Sequence, residues 1–124
     1  MRYVCFVHID PDLIGVLSPE EDKAQQRESI AFDQELIRSG HMVAAHPIQD
    51  AETATVIRHR NGRISMTDGP YVESKEHLGG FFVLEAKDLN EALSLASKAP
   101  VARYGSVEVR PTWDLEPGPV EGSE

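Results

Sequence analysis

The chain has 124 residues, 40% apolar and 27% charged, with a formal net charge of −9, the composition of one globular domain able to build its own core. The acidic balance excludes direct nucleic-acid binding, which needs clustered Lys and Arg, and no run approaches the roughly 18 apolar residues of a membrane span. A strand-like start running straight into "HIDPD" is unlike a secretory leader, so the expected compartment is the cytoplasm.

Residues 2–8, "RYVCFVH", read as a strand apolar on both parities, with Tyr3, Cys5 and Val7 on one and Val4 and Phe6 on the other. That is the mark of a strand covered on both faces. Cys5 is the sole cysteine, so it has no partner for an internal disulfide and reads as a buried structural thiol. After "IDPDLIGVL", Ser18, Pro19 and Glu21 predict a helix start with a capping box and proline at the first position. Ile30, Phe32, Leu36 and Ile37 supply its predicted apolar stripe, and Gly40 the stop.

"HMVAAHPI" (41–48) reads as a second strand, for which Pro47 suggests an edge position or an early end. Segments 53–60 and 63–67, joined by Asn61-Gly62, form the strongest hairpin signal in the chain. "GFFVLEAK" (80–87) is another strand apolar on both parities. Asp88 then caps a second helix, with Glu91 three residues on; Leu89, Ala92, Leu93 and Ala96 are its expected buried face, and Pro100 bars its continuation. "GSVEVRPTW" (105–113) alternates, with Val107 and Val109 on one side and Glu108 and Arg110 on the other. The domain is therefore expected over 1–113. Residues 114–124, with Asp114, Glu116, Glu121 and Glu124 among prolines and glycines, read as an acidic flexible tail.

This order predicts an α+β fold, a ferredoxin-like split βαβ sheet with two helices on one face and an inserted β-hairpin. The two most apolar strands, 2–8 and 80–87, fall at its centre. Right-handed crossovers place both helices on one face and leave Val4, Phe6 and alternate members of "FFVL" on the other. A bare apolar sheet is an exposed patch that soluble monomers avoid, so a homodimer packed sheet to sheet is expected.

The run "TDGPYVESKEHLGGFFVLEAKDLNEALSLASKAP" followed by "GSVEVRP" resembles the YCII-related proteins, in particular the branch named for its DGPF motif. The resemblance spans roughly 1–113 and is densest over 54–111: Asp68-Gly69-Pro70, Lys75-Glu76, Gly80 and Glu108-Arg110-Pro111 match in spacing and type, as does Arg58. Tyr71 stands where phenylalanine is usual, and Ser74 where threonine is. The resemblance implies a dimeric α+β barrel. It also implies two classes of function, since short members are suggested enzymes with a helix histidine and an aspartate in one cleft, while others accompany extracytoplasmic-function sigma factors. This chain has no histidine in its first helix, and its second ends Ala99-Pro100 without the aspartate, so that pair is not carried over.

Among single residues, Asp68 reads first as the side-chain anchor of its turn and second as a carboxylate at a cleft mouth, able to act as a general base. Arg58, Tyr71, Glu108, Arg110 and His46 are the ligand-binding candidates, with a structural Glu108–Arg110 pair as the plainer alternative. Glu73, Lys75 and Glu76 read as a solvated loop or as a ligand lip. Without HExxH or paired CxxC no metal is expected, although His8, Asp10 and His46 could share a side. No Gly-rich phosphate loop follows a strand, so nucleotide binding is not expected, and the chain is read as needing no cofactor. Two classes stay open: a cofactor-independent enzyme acting on a small molecule near the Asp-Gly-Pro turn, and a non-catalytic ligand-binding or regulatory partner of a sigma factor.

Overall fold

The computed structural model describes residues 1–114, so the expected tail, save Asp114, lies outside the described residues. In chain order the elements are β1 (Arg2–Ile9), a single turn α1 (Pro11–Ile14), α2 (Pro19–Arg38), β2 (Met42–Pro47), β3 (Thr55–Arg60), β4 (Arg63–Asp68), β5 (His77–Glu85), α3 (Leu89–Ala96) and β6 (Gly105–Pro111). Short 3₁₀ turns cover Ala51–Thr53 and Pro100–Tyr104. Strands pair antiparallel in the order β2-β5-β1-β6, while β3 and β4 form a separate two-stranded ribbon. The expected split βαβ sheet with its inserted hairpin is the observed one, with β1 and β5 central and Pro47 on an edge strand.

Local chemistry explains the ends of these elements. The Ser18 hydroxyl accepts from the Glu21 N–H at 3.1 Å and the Glu21 carboxylate accepts from the Ser18 N–H at 2.9 Å, satisfying two donors that a helix start leaves free. Asp88 and Glu91 do the same for α3, the second arm running from the Lys87 N–H to Glu91 Oε1. Asn61 and Gly62 sit at φ 52° and 74°, as a two-residue hairpin turn requires at both positions. Gly69 departs from the extended backbone that a following proline favours: its φ is 105°, open to glycine because no Cβ is in the way, and its N–H reaches Ala54 O at 2.8 Å.

The core lies between the sheet and its two long helices. Cys5, Val7, Phe82 and Leu84 point toward Leu36 of α2 and Ala96 of α3, and Phe32 meets Phe82 edge to face at 5.8 Å. Cys5 and Leu84 are 0% exposed. Both helical stripes are narrower than expected. Ile30 and Ile37 are exposed on α2, which packs through Phe32 and Leu36, and Leu89 and Leu93 are exposed on α3, which approaches the sheet through Ala92, Leu95 and Ala96. Strand ends also differ. β3 begins at Thr55 because the 3₁₀ turn occupies Ala51–Thr53. β5 begins three residues early at His77, since a bulge between Val7 and His8 lets β1 keep pairing to Ile9. β5 ends at Glu85, where the Ala86 N–H turns to Met1 O. β6 stops at Pro111, two residues short of the expected end.

Candidate functional site

Among the described residues, the other face of the sheet carries no helix. Its rows follow from register: His46, Phe81, Phe6 and Glu108 lie side by side across four strands, and Val83, Val4 and Arg110 form the next row. His8 continues the parity of Val4 and Phe6 at the end of β1, opposite Leu78 and Ser106. Beyond that end the chain leaves the sheet twice, over 48–54 and 69–76, and the two excursions wall a cavity of about 500 Å³ whose floor includes His8, His77 and Leu78. Ile48, Ala54, Pro70 and Val72 make its walls apolar, and Tyr71, Asp50 and Glu76 complete it. That volume suits a ring-sized molecule.

Side-chain contacts hold the second wall. Glu76 Oε1 accepts from the Ser106 hydroxyl at 2.6 Å, tying the wall to β6. Lys75 Nζ reaches Asp10 Oδ2 at 3.6 Å. Asp10 is 7% exposed, the one buried charged residue among the described residues; its other oxygen accepts from the Asp12 N–H at 2.9 Å and so caps α1. The Arg58 guanidinium lies 5.7 Å from the centroid of the Tyr71 ring, joining wall to hairpin by a cation–π contact.

The floor holds the best-placed acid–base pair. His8 Nε2 stands 3.4 Å from Glu108 Oε1. A carboxylate only accepts, so that contact places the proton on Nε2 and leaves Nδ1 as the basic nitrogen. Arg110 Nε is 3.9 Å from the second Glu108 oxygen. A carboxylate that fixes the ring and steadies its charged form is the usual support of a histidine base, and long apo hydrogen bonds are compatible with that role.

The expected site residues therefore fall into separate groups. Tyr71 lines the cavity, Arg58 stacks on it, Glu108 reaches the floor through His8, and Arg110 pairs with Glu108. His46 lies against Phe81 at 5.8 Å on the open face, away from the lining. Asp68 ends β4 opposite Thr55, exposed, on the ribbon face away from Arg58 and outside the cavity lining. It makes no side-chain hydrogen bond among the described residues. The sequence offers His8 only as a metal ligand, and Glu76 as part of either a solvated loop or a ligand lip; the structure places Glu76 in the cavity wall. Strand parity was the available signal, since His8 shares it with Phe6 and Glu108 alternates with Val107 and Val109; the register that joins them was not.

A second cluster has the residue types of a hydrolase without its geometry. Ser39 Oγ lies 2.8 Å from His41 Nδ1, and His41 Nε2 lies 3.7 Å from Glu91 Oε1. Yet Ser39 Oγ also donates to Leu36 O, and Glu91 is engaged in its capping box. The nearby N–H groups of Gly40, His41, Glu85 and Ala86 all have backbone acceptors, so none is left for an oxyanion. Cys5 is likewise inert: burial pushes its thiol up to about 12, far from the thiolate a nucleophile needs.

Three comparisons fit this fold. The YCII-related domain model matches residues 1–116. An uncharacterised protein of Rhizobium meliloti is 31% identical over 120 residues, covering 95% of this chain and 97% of that one. Among solved structures, 5-chloro-2-hydroxyhydroquinone dehydrochlorinase from Burkholderia phenoliruptrix, in complex with 2,5-dihydroxybenzoquinone, superposes with a TM-score of 0.58 at 14% identity, over 96% of this chain and all of that one. That likeness is one of fold. The chain belongs to the YCII-related family.

Proposed function

We propose that this YCII-related protein is a small-molecule enzyme that needs no cofactor and moves a proton on a ring-sized substrate, with His8 as the base and Glu108 as the group that orients it. The single observation that carries this reading is the His8–Glu108 contact on the floor of an apolar cavity. A structural relative that binds an oxygenated ring and acts on another supports it. His8 takes a proton from a carbon or hydroxyl of the substrate at Nδ1, Glu108 stabilises the resulting imidazolium, and the proton returns elsewhere on the substrate. Tyr71 and the aliphatic walls exclude water and orient the ring. On this reading the assembly is a cytoplasmic homodimer whose open faces pack together, covering Phe6 and Phe81 and closing the cavity mouth.

The test is deuterium exchange into uncharged enolisable cyclic ketones, followed by NMR in D₂O. Catalysed exchange should fall about 10²- to 10⁴-fold in His8→Ala and by less in Glu108→Gln. Wild-type rates in His8→Ala would overturn the assignment of the base.

A second reading has its own observation. One face of the ribbon exposes Ile57, Ile64 and Met66 in adjacent pairs, and the other carries Arg58, Arg60 and Arg63. Apolar residues so exposed suit a protein contact, which favours the regulatory alternative, a partner such as an extracytoplasmic-function sigma factor. Direct titration of such a factor, with Ile57→Lys as the control, separates the two readings.

A further inference from the structure

The charges around the cavity are unbalanced. Its lining includes the carboxylates Asp50 and Glu76, and no lysine or arginine. Glu108 is a third carboxylate next to the floor, offset by Arg110. The nearest cations are engaged elsewhere: Lys75 with buried Asp10 at 3.6 Å, Arg110 with Glu108 at 3.9 Å, and Arg58 over the Tyr71 ring. Of the Glu76 oxygens, Oε1 is taken by Ser106, at 2.6 Å. An anionic ligand entering this space would lose water beside fixed negative charge with only the imidazoles of His8 and His77 to meet it, the first already turned to Glu108, and apolar walls weaken the screening that bulk solvent gives.

We infer that the cavity selects by charge, taking apolar ring-sized molecules that are neutral or cationic, such as alcohols, ketones and amines, and rejecting carboxylates and phosphates of the same size. This deepens the proposed function and rests on the same cavity being the binding site. Glu76 is the specificity-determining residue, because its side chain is partly buried in the wall and held by Ser106, whereas Asp50 is exposed at the rim.

The experiment measures affinities of benzyl alcohol, benzylamine and benzoate for the full chain by ligand-detected NMR, with Val72→Trp and Glu76→Gln as variants. Benzylamine should bind at least as well as benzyl alcohol, and benzoate roughly tenfold or more weakly than either. Glu76→Gln keeps an acceptor for Ser106 and should bring benzoate to within about threefold of the alcohol; added salt should narrow the gap in the wild type. Val72→Trp fills the wall and should abolish binding of all three. Benzoate equal to the alcohol in the wild type, with both lost in Val72→Trp, would overturn charge selection and leave the cavity reading standing. Binding of the alcohol unaffected by Val72→Trp would overturn the cavity itself as the site.

Discussion

The two faces of one sheet are built from the same kinds of residue and have opposite surroundings. On the helix-covered face, Cys5 and Leu84 are 0% exposed, and Phe82 is locked edge to face with Phe32. One residue away along the same strands, Val4, Phe6, Phe81 and Val83 remain partly exposed with no helix over them. The difference teaches that strand hydrophobicity alone reports burial demand without saying what meets it. Helices from the same chain meet it on one face. On the other the demand is unmet within the described residues, save for a cavity at the end of β1; the proposed second copy would meet it.

A charge placed on each face separates them most sharply. Leu84→Asp should cost about 4 kcal/mol or more and leave little folded protein, since the ion has no partner in the core. Phe6→Asp should instead leave a folded chain and shift its elution to that of a monomer. Equal unfolding by both, measured by circular dichroism and size exclusion, would mean that the open face is core in its own right.

The next effect is alkaline and belongs to the helix-covered face alone. Burial raises the Cys5 thiol to about 12, above its value in the unfolded chain. Below about pH 8.5 the thiol is neutral in both states and the stability is whole. As pH rises from there toward 12 the unfolded chain gives up its proton and the folded one does not, so stability should fall by up to about 1.4 kcal/mol per pH unit. Urea titrations at pH 8 and pH 10 read this slope, and Cys5→Ala should flatten it. An unchanged slope in Cys5→Ala would assign the alkaline loss to other groups.

The smallest effects are expected on the ribbon. Asp68→Asn and Ile57→Lys should each change stability by less than about 0.5 kcal/mol, as exposed positions do. A thermal shift of several degrees in either would show that this face of the ribbon is packed in the assembly.

Legibility followed locality. Capping residues Ser18, Glu21, Asp88 and Glu91 and the Asn61-Gly62 turn act within a few residues, so their roles were readable from spacing. The doubled parity of β1 and β5 named the central strands. Leu89 and Leu93 misled because the choice between them and Leu95 depends on how closely alanines let α3 approach. The Asp-Gly-Pro turn attracted attention to Asp68 because of its motif, yet only Pro70 and Tyr71 reach the cavity wall. His8 and Glu108 are separated by a hundred residues and meet through the pairing of β1 with β6, a non-local register that periodicity does not encode. Asp10 and Lys75 are hidden for the same reason.

The pairing of Pro47 with Gly80, extended by the Ile48 N–H to Gly79 O bond at 3.0 Å, means that the excursion carrying the ribbon and most of the cavity wall starts and returns at one point. To the sheet it is a closed loop whose length is nearly free, because closure entropy grows only logarithmically, by about 0.6 kcal/mol per doubling. Mutations, insertions and deletions within it can therefore accumulate without eroding the helix-packed core. On the proposed reading, ligand preference is in this sense decoupled from foldability: the scaffold can stay fixed while the residues around the cavity change.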